Sequence, residues 1–189
     1  MKPYLPPTRL KPWKILSTKL VFENKWYNVK QDVVQLPNGV EMDDYFVSVR
    51  DDVSIIFAIT PDEEVLVVRQ YKHGAQEIVT ELPAGFFNEG EDPTEAAKRE
   101  LAEETGYTSS QWTLLRQTHD NPTKDNNKFY LFLAENCTKT TDQQFDISED
   151  IEIFKVPLPN FKEMIWSGEI KVHSMISVAI LALKHLNKL

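Results

Sequence analysis

Apolar and polar residues alternate along the early part of the chain, a pattern that is typical of strands. Residues 14–50 alternate in this way and contain the turn sequence PNG, so they predict a small antiparallel meander with Gly39 where a positive φ is needed. The segments at 53–60 (VSIIFAIT) and 65–72 (VLVVRQYK) are richer in valine and isoleucine, which indicates strands buried on both faces. We expect these two strands at the centre of the main sheet.

Helical patterns occur at three places, and the first has well-marked ends. Asp92 is a suitable N-cap, Pro93 suits the first helical position, and Glu95 has the capping-box spacing. Gly106 is a stop signal, so we predict a helix over residues 93–105. FKEMIWSG predicts a short second helix, and SMISVAILALKHLNKL spaces its apolar residues as a helix that packs on a sheet.

Four further segments, EIVTELPA, WTLLRQTH, KFYLFLAEN and EIFKVPL, predict strands. Strands with one central helix and helices near the end favour an α+β or mixed α/β fold in which helices cover a sheet. We divide the chain into an extended, proline-rich leader at 1–13, the β meander at 14–50 and a main domain at 51–189.

Composition and charge exclude several classes of protein. With 189 residues, 41% hydrophobic and 26% charged, the chain has the balance of a globular domain with a minor appendage. A net charge of -8 argues against a nucleic-acid partner, which is bound through clustered lysine and arginine. Cys137 is the single cysteine, so an intrachain disulfide or a thiolate metal cage is excluded. Without a signal-peptide or membrane-span pattern, we expect a cytoplasmic protein and no membrane partner.

The predicted helix at 93–105 is rich in acids. Glu100, Glu103 and Glu104 have the spacing i, i+3 and i+4, which places them on one face. Like charges at this spacing cost about 0.2 to 0.5 kcal/mol per pair unless a cation relieves them. Arg99 is one such cation, and a divalent metal such as Mg²⁺ or Mn²⁺ is another. Taken alone, such a face is more often simply solvated.

The whole stretch from Gly85 to Tyr107 favours a metal site over a solvated face, because its residue spacing resembles the Nudix box of the Nudix hydrolases. Its sequence is GFFNEGEDPTEAAKRELAEETGY. The resemblance implies an α/β/α sandwich and a metal-dependent enzyme that cleaves a nucleoside diphosphate linked to another group. It makes Glu100, Glu103 and Glu104 metal ligands and gives Arg99 the task of orienting them. A metal could then neutralise the pyrophosphate and activate water.

Two neighbouring motifs resemble the ADP-ribose pyrophosphatase subgroup. ELPAG, at 81–85, implies that the Ala84 carbonyl completes a metal site and that Glu81 belongs to the substrate-binding residues. VRQYK, at 68–72, resembles a strand that carries a substrate-contacting arginine, which makes Arg69 a candidate for phosphate binding. The alternative for Arg69 is a plain surface arginine at a strand end.

The meander resembles the N-terminal β-domain through which enzymes of this subgroup form homodimers and hold adenine between aromatic rings. On this chain Trp26, Tyr45 and Arg50 match that clamp, and aromatic rings suit base stacking. The alternative is that these aromatic residues belong to the core.

In the subgroup the general base is a glutamate on a mobile loop well after the box, and FDISEDIEIF resembles the exit of that loop into the following strand. The alternative is a solvated acidic loop. We predict Glu149, and Asp146, Asp150 and Glu152 are alternatives. A base needs only to come within hydrogen-bond reach of the nucleophilic water when substrate is bound.

The resemblance therefore predicts cleavage of ADP-ribose or a related nucleoside diphosphate sugar into a nucleoside monophosphate and a sugar phosphate. Pro122 follows the box at the distance typical of the subgroup, but Thr123 stands where a glycine is common. This departure leaves other nucleoside diphosphate derivatives such as GDP-mannose open. A non-catalytic Nudix-like sensor of a nucleotide sugar is the alternative from another functional class.

Overall fold

The structure, a computed structural model, describes residues 5–145 and 150–189. Its contacts divide the chain into two compact units. The first comprises Met1–Arg50 and Asn121–Asn126, and the second comprises Asp51–Asp120 and Asn127–Leu189.

The first unit is an antiparallel three-stranded sheet. Its strands are β1 (Lys14–Glu23), β2 (Asn28–Gln35) and β3 (Glu41–Val49), in the order β1-β2-β3. Gly39 has φ 87° in the turn between β2 and β3, a conformation that glycine adopts without steric cost. The N-terminal antiparallel extension predicted from the alternation is therefore confirmed.

The segment Asn121–Asn126 belongs to the first unit because it bonds to β3. Ser48 donates its backbone N–H to the Lys124 carbonyl at 2.7 Å, and Asn126 N donates to the Ser48 carbonyl at 3.3 Å. The Asn126 side-chain oxygen accepts from Arg50 N at 2.8 Å. The predicted boundary at residue 50 did not include this segment, since pairing between residues so distant in sequence leaves no trace in a local pattern.

The second unit contains two main sheets and three helices. One sheet has the order β7-β4-β10-β9, with β4 parallel to β10, and the other has the antiparallel order β12-β5-β6. The strands β8 and β11 form a separate two-stranded ladder. The elements are β4 (Val53–Ala58), β5 (Glu64–Lys72), β6 (Glu77–Glu81), β7 (Ala84–Phe86), α1 (Pro93–Thr105), β8 (Tyr107–Thr108), β9 (Gln111–Thr118), β10 (Phe129–Glu135), β11 (Thr138–Lys139), β12 (Glu152–Pro157), α2 (Leu158–Ser167) and α3 (His173–His185).

The expected central position of β4 and β5 in one sheet is wrong. Each strand is central, but in a different sheet, and the two meet at one isolated bridge between Ile59 and Val65. Thr60 and Glu63 close a tight turn there, with Glu63 at φ 57°. Two apolar strands joined by a short turn resemble a hairpin in sequence, so the pattern alone did not show that they diverge after the bridge.

Strand alternation divides the core of the second unit into two layers. On β4, Ile55 and Phe57 pack with buried residues of α2 and α3, whereas Ile56 and Ala58 pack with Leu101 of α1. Alternate residues of a strand point to opposite faces, so helices cover both sides of this sheet. The predicted mixed α+β fold, with helices on both faces of a sheet, is confirmed.

The predicted helix at residues 93–105 is confirmed with the same ends. The Asp92 carboxylate accepts from Thr94 N at 2.8 Å and from Glu95 N at 3.3 Å, as an N-cap does. Gly106 ends α1 at φ 73°. The helix α2 starts earlier than its predicted core, since proline is tolerated in a first helical turn. Among the described residues, no helix combines the length and the apolar character that crossing a membrane requires.

Two glycines end helices in the same left-handed conformation, Gly106 at φ 73° and Gly168 at φ 80°, but their surroundings differ. A Cβ on Gly106 would lie 2.4 Å from the Thr141 carbonyl oxygen, whereas a Cβ on Gly168 would meet nothing within 4 Å. We predict that Gly168→Ala lowers the free energy of unfolding by about 1 to 2 kcal/mol, the cost of the left-handed conformation.

For Gly106→Ala we expect a further loss of about 1 to 3 kcal/mol, because a backbone carbonyl must also shift. Urea unfolding of the wild type and both variants measures the difference. Equal losses for the two variants would show that the contact with Thr141 is easily relieved.

Candidate active site

The acidic face of α1 is not a solvated face. Glu100 and Glu104 are buried, with 9% and 3% of their surface exposed, and only the Glu103 side chain, at 40%, is open to solvent. A charged group is rarely buried unless it is paired, because burial removes its hydration. The helical spacing therefore places three carboxylates together, and the fold withdraws two of them from water.

Arg99 is the cation that holds this face together. Its Nη1 donates to Glu100 Oε1 at 2.6 Å and to Glu103 Oε2 at 2.9 Å. Its Nε and Nη2 donate to the two oxygens of Glu91, each at 2.9 Å, and Nη2 also donates to the Phe86 carbonyl at 2.9 Å. The fork of donors on a guanidinium suits such bidentate contacts. One arginine thus fixes three acids and the end of β7.

The contact between Arg99 and Glu91 shifts the pKa of both side chains. The hydrogen bonds from Arg99 lower the pKa of the Glu91 carboxyl from 4.5 to about 2, and the same bonds raise the pKa of Arg99. Because the folded pKa of Glu91 is lower than the unfolded one, this pair stabilises the fold above about pH 4.5. The contribution disappears as the pH falls towards 2.

The strand β7 lies directly against the buried acids. A Cβ on Gly85 would lie 1.9 Å from the carboxyl carbon of Glu100, so only glycine leaves room for that carboxylate. The adjacent Ala84 N donates to Glu104 Oε2 at 3.0 Å. Two consecutive residues of the ELPAG segment therefore hold the two buried carboxylates, one by shape and one by a hydrogen bond.

An unpaired hydroxyl lies on the same side of the sheet. Ser54 is opposite Gly85 in the ladder between β4 and β7, and residues directly opposite each other share a face. Its Oγ is fully buried, and among the residues that the structure describes it has no hydrogen-bond partner. A buried donor without a partner is unusual and marks this position as polar and incompletely satisfied.

The residues present fit a hard divalent cation in chemistry, although the side chains do not yet converge on one point. Within residues 5–145 and 150–189, no three carboxylate, imidazole or thiolate groups are arranged so that they could hold a metal as they lie. In this arrangement Arg99 binds oxygens of Glu100 and Glu103. The donors are oxygen atoms, which Mg²⁺ and Mn²⁺ prefer, and the space over Gly85 is filled by a carboxylate.

The one thiol of the chain is not part of this set. Cys137 is buried against α1, and burial raises the pKa of its thiol to about 12. It therefore stays protonated at neutral pH and acts as a small apolar residue.

A second polar cluster joins β5 and β6. Glu81 is buried, and its Oε2 lies 3.3 Å from Lys72 Nζ and accepts from Gln70 Nε2 at 3.4 Å. On β5, Leu66 packs against α1, and the two-residue period places Gln70 and Lys72 on that same face. The ELPAG motif predicted Glu81 but not Lys72, although the alternation of β5 from Leu66 through VRQYK indicates the face on which Lys72 lies.

Arg69 lies on the opposite face of β5. Its guanidinium carbon is 4.7 Å from the centre of the Phe154 ring, and its Nη1 is 3.9 Å from Glu152 Oε2. Both partners are on β12, where Glu152 is directly opposite Arg69. The structure therefore does not bring Arg69 to the face on which the acids of α1 pack, and its predicted phosphate contact stays a prediction.

The aromatic residues predicted to hold a base lie in the first unit. Trp26 is 77% exposed, since Asn24 Oδ1 accepts from Trp26 N at 2.7 Å and from Tyr27 N at 2.8 Å and fixes the turn that presents it. Tyr45 is half-buried, and its hydroxyl donates to the Thr123 carbonyl at 2.8 Å. Trp26 is thus a presented surface ring rather than a core residue.

The remaining predicted residues can be placed only in part. Glu149 and its alternative Asp146 lie outside the described residues. Of the other two alternatives, Asp150 is exposed and Glu152 faces Arg69 on β12. Arg50 ends the first unit, next to β3.

Comparison with known proteins supplies the context for these groups. Residues 49–172 match the family described as NUDIX domain, and residues 13–48 match the family described as Nucleoside diphosphate sugar hydrolase N-terminal domain. An ADP-ribose pyrophosphatase of Bacillus subtilis (strain 168) is 28% identical over 83% of this chain and 85% of that protein. An ADP-ribose pyrophosphatase of Saccharomyces cerevisiae is 30% identical over 79% of this chain and 73% of that protein.

One further sequence relative and one solved structure are also similar to this chain. A methanol dehydrogenase activator of Bacillus methanolicus is 30% identical over 77% of this chain and 78% of that protein. The crystal structure of an ADP compounds hydrolase superimposes with a TM-score of 0.83 over 97% of this chain and all of that chain, at 22% identity, which shows a shared fold. The segment that matches the NUDIX domain family spans about two thirds of the sequence, and it includes β7 and α1 with its three acids. The chain belongs to the Nudix hydrolase family.

Proposed function

We propose that this Nudix hydrolase cleaves the pyrophosphate bond of ADP-ribose or a related nucleoside diphosphate sugar. Water adds to one phosphorus, the bond from that phosphorus to the bridging oxygen breaks, and a nucleoside monophosphate and a sugar phosphate leave. The observation that carries the reaction type is the pair of buried acids, Glu100 and Glu104, held by β7 within the matched family segment. The names of the relatives, and the match of residues 13–48, support the sugar diphosphate as substrate.

Nudix hydrolases generally use divalent metal ions, and we propose Mg²⁺ or Mn²⁺ for this chain. Glu100, Glu103 and Glu104 would hold it through carboxylate oxygens, and Ala84 through its carbonyl oxygen. When bound, such a cation neutralises pyrophosphate charge and lowers the pKa of a bound water.

The chain's own residues prepare this site. Arg99 fixes the direction of the Glu100 and Glu103 carboxylates, because its Nη1 donates to both. Ala84 N fixes Glu104 in the same way. Glu149 remains the proposed acceptor of the proton from the nucleophilic water, as the resemblance implies.

There are two alternatives to this function: an enzyme with another substrate, and a protein that binds a nucleotide sugar without cleaving it. Another nucleoside diphosphate derivative such as GDP-mannose would fit the same acids, since these would act on the pyrophosphate through the bound cation and not on the base. A non-catalytic sensor would bind a nucleotide sugar without turnover, but the complete set of acids on α1 favours an enzyme. Product release from ADP-ribose, GDP-mannose, NADH and diadenosine polyphosphates distinguishes these cases, and tight binding without turnover of any of them would support the sensor.

Glu104→Gln tests the acid site. We predict that it lowers kcat for ADP-ribose with Mg²⁺ at least about 100-fold, because a neutral amide is a poor ligand for a hard cation. The fold should persist, since the amide oxygen still accepts from Ala84 N. Glu95→Gln is the matched control on the same helix, because Glu95 is exposed and contacts Lys98. Wild-type kcat in Glu104→Gln, measured by AMP release, would rule out Glu104 as a metal ligand.

The substrate contacts are proposed from exposure and charge. Trp26 is 77% exposed, with Lys25 Nζ 4.4 Å from the centre of its ring, and we propose that this ring stacks on adenine. Tyr45 and Arg50 remain proposed members of the same clamp. For the phosphates we propose two residues, Arg69 and Lys72. Lys72 is included because it lies on the face of β5 that packs against α1, next to the proposed substrate residue Glu81.

We predict that Trp26→Leu and Lys72→Gln each raise the KM for ADP-ribose about tenfold with little change in kcat, since each removes a contact equal in ground and transition state. Glutamine at position 72 can still donate to Glu81, so the buried carboxylate is not left without a donor. Arg69→Gln is the matched comparison. A raised KM in Arg69→Gln but not in Lys72→Gln would assign the phosphate contact to Arg69 alone, and unchanged KM values in all three variants would reject these contacts.

The homodimer that the resemblance implies is also a proposal, and β1 supports it. All ten residues of β1 are exposed, and the strand lies at the edge of its sheet, with Ile15, Leu20 and Phe22 open to solvent. An exposed apolar edge strand is a surface that proteins usually cover. We propose that a second copy of the chain covers it. A cytoplasmic location stays a prediction from the sequence.

Sedimentation velocity tests the assembly. We expect the wild type to sediment as two copies of the 21.9 kDa chain and Leu20→Lys to sediment as one. Ile78→Lys is the control, because Ile78 is also an exposed apolar strand residue but lies in the second unit. A monomeric wild type at micromolar concentration would contradict the proposal.

A further inference from the structure

The last turn of α1 carries two of the three acids, Glu103 and Glu104. This is the weakest part of any helix, because the last four carbonyl groups have no partner within the helix itself. In α1 the Gly106 N–H bonds back to the Ala102 carbonyl at 2.8 Å. The carbonyls of Glu103 and Glu104 lie beyond that bond and need partners from elsewhere in the chain.

Both partners come from Gln143 and Gln144, about forty residues further along the sequence. Gln144 donates its backbone N–H to the Glu103 carbonyl at 2.9 Å. Gln143 donates its side-chain Nε2 to the Glu104 carbonyl at 2.8 Å, and this contact is partly buried. The end of the acid-bearing helix is therefore capped by a side-chain amide and a backbone amide of a remote segment.

The same segment is attached on its other side as well. Thr140 N and Thr141 N both donate to the Gly106 carbonyl, at 3.0 and 3.2 Å, and β11 pairs with β8 just before them. These are backbone bonds, which any residue except proline at positions 140 and 141 would make. The side-chain bond from Gln143 is the part of this cap that depends on residue identity.

Glu104 is consequently held at both of its ends. Ala84 N fixes its carboxylate, and Gln143 Nε2 fixes its backbone carbonyl. If the carbonyl loses its donor, the last turn gains freedom to fray, and the carboxylates at positions 103 and 104 are held less tightly, by Arg99 and Ala84 N alone. A shift of about 1 Å in a reacting or ligating group is enough to change activity strongly.

We propose that Gln143 is a positioning residue for the acid site, in that its carboxamide caps the last turn of α1 and so sets the affinity of Glu103 and Glu104 for a divalent cation. The inference rests on the proposed function of these acids as metal ligands. Gln143 acts through the helix end and not by contact with substrate.

Gln143→Met tests this role, because methionine has a similar length but lacks the donor. Isothermal titration with Mn²⁺, and activity with ADP-ribose as Mn²⁺ is varied, both measure the cation affinity. We expect it to fall about tenfold, as for other residues that orient metal ligands, and the KM for ADP-ribose at saturating Mn²⁺ to stay within about twofold. Gln143→Glu should lose more, since it also places a negative charge at the helix C-terminus.

Gln144→Met is the matched control. Gln144 caps the Glu103 carbonyl through its backbone N–H, which the substitution keeps, and its side chain is exposed. The cation affinity of this variant should therefore equal that of the wild type. Thermal unfolding of each variant distinguishes a Gln143 that only stabilises the helix end from a Gln143 that also sets cation affinity. A lower melting temperature with unchanged Mn²⁺ affinity in Gln143→Met would reduce Gln143 to a structural cap and overturn the proposal.

The wild type separates this inference from the proposed function. Failure of the wild type to bind Mn²⁺ or to hydrolyse any nucleoside diphosphate sugar would refute the proposed function itself. Tight Mn²⁺ binding and turnover in the wild type, with the same Mn²⁺ affinity in Gln143→Met, would refute only the role of Gln143.

Discussion

The hydrogen bonds of Arg99 are the constraint around which the candidate site is organised. Three carboxylates on one helical face repel each other, and two of them are buried, where an unpaired charge is costly. One guanidinium bonds to Glu91, Glu100 and Glu103 and to the carbonyl that ends β7. Part of the negative charge of the site is therefore offset before any ligand arrives, and the helix is tied to the strand beside it.

This arrangement requires a close approach between a strand and a helix. Gly85 provides it, because any side chain at that position would occupy the space of the Glu100 carboxylate. The opposite side of the same sheet is packed by α2 and α3, so β7 and β4 have little freedom to move away. Packing on one face of the sheet thus fixes the geometry of the acids on the other.

Local signals predicted much of this. The caps at Asp92 and Gly106 act on neighbouring residues, so they defined α1 with its correct ends, and the helical period placed Glu100 and Glu104 together. The two-residue period of β5 also indicates the face of Lys72, which the assignment of a strand does not by itself specify. Strands of two or three residues, β7, β8 and β11, were missed because so short a segment has no measurable period.

The sequence by itself determined the acid-bearing helix, the antiparallel extension, the fold class and the family, since each depends on residues that are close in the chain or on a fixed spacing. Tertiary structure decided which acids are buried, that β4 and β5 belong to different sheets, and that Arg69 and Lys72 face opposite ways relative to α1. It also joined Gln143 to Glu104 and Asn121–Asn126 to β3. Those contacts bring together residues far apart in sequence, and their energy comes from burial and hydrogen bonds that exist only once the chain has folded.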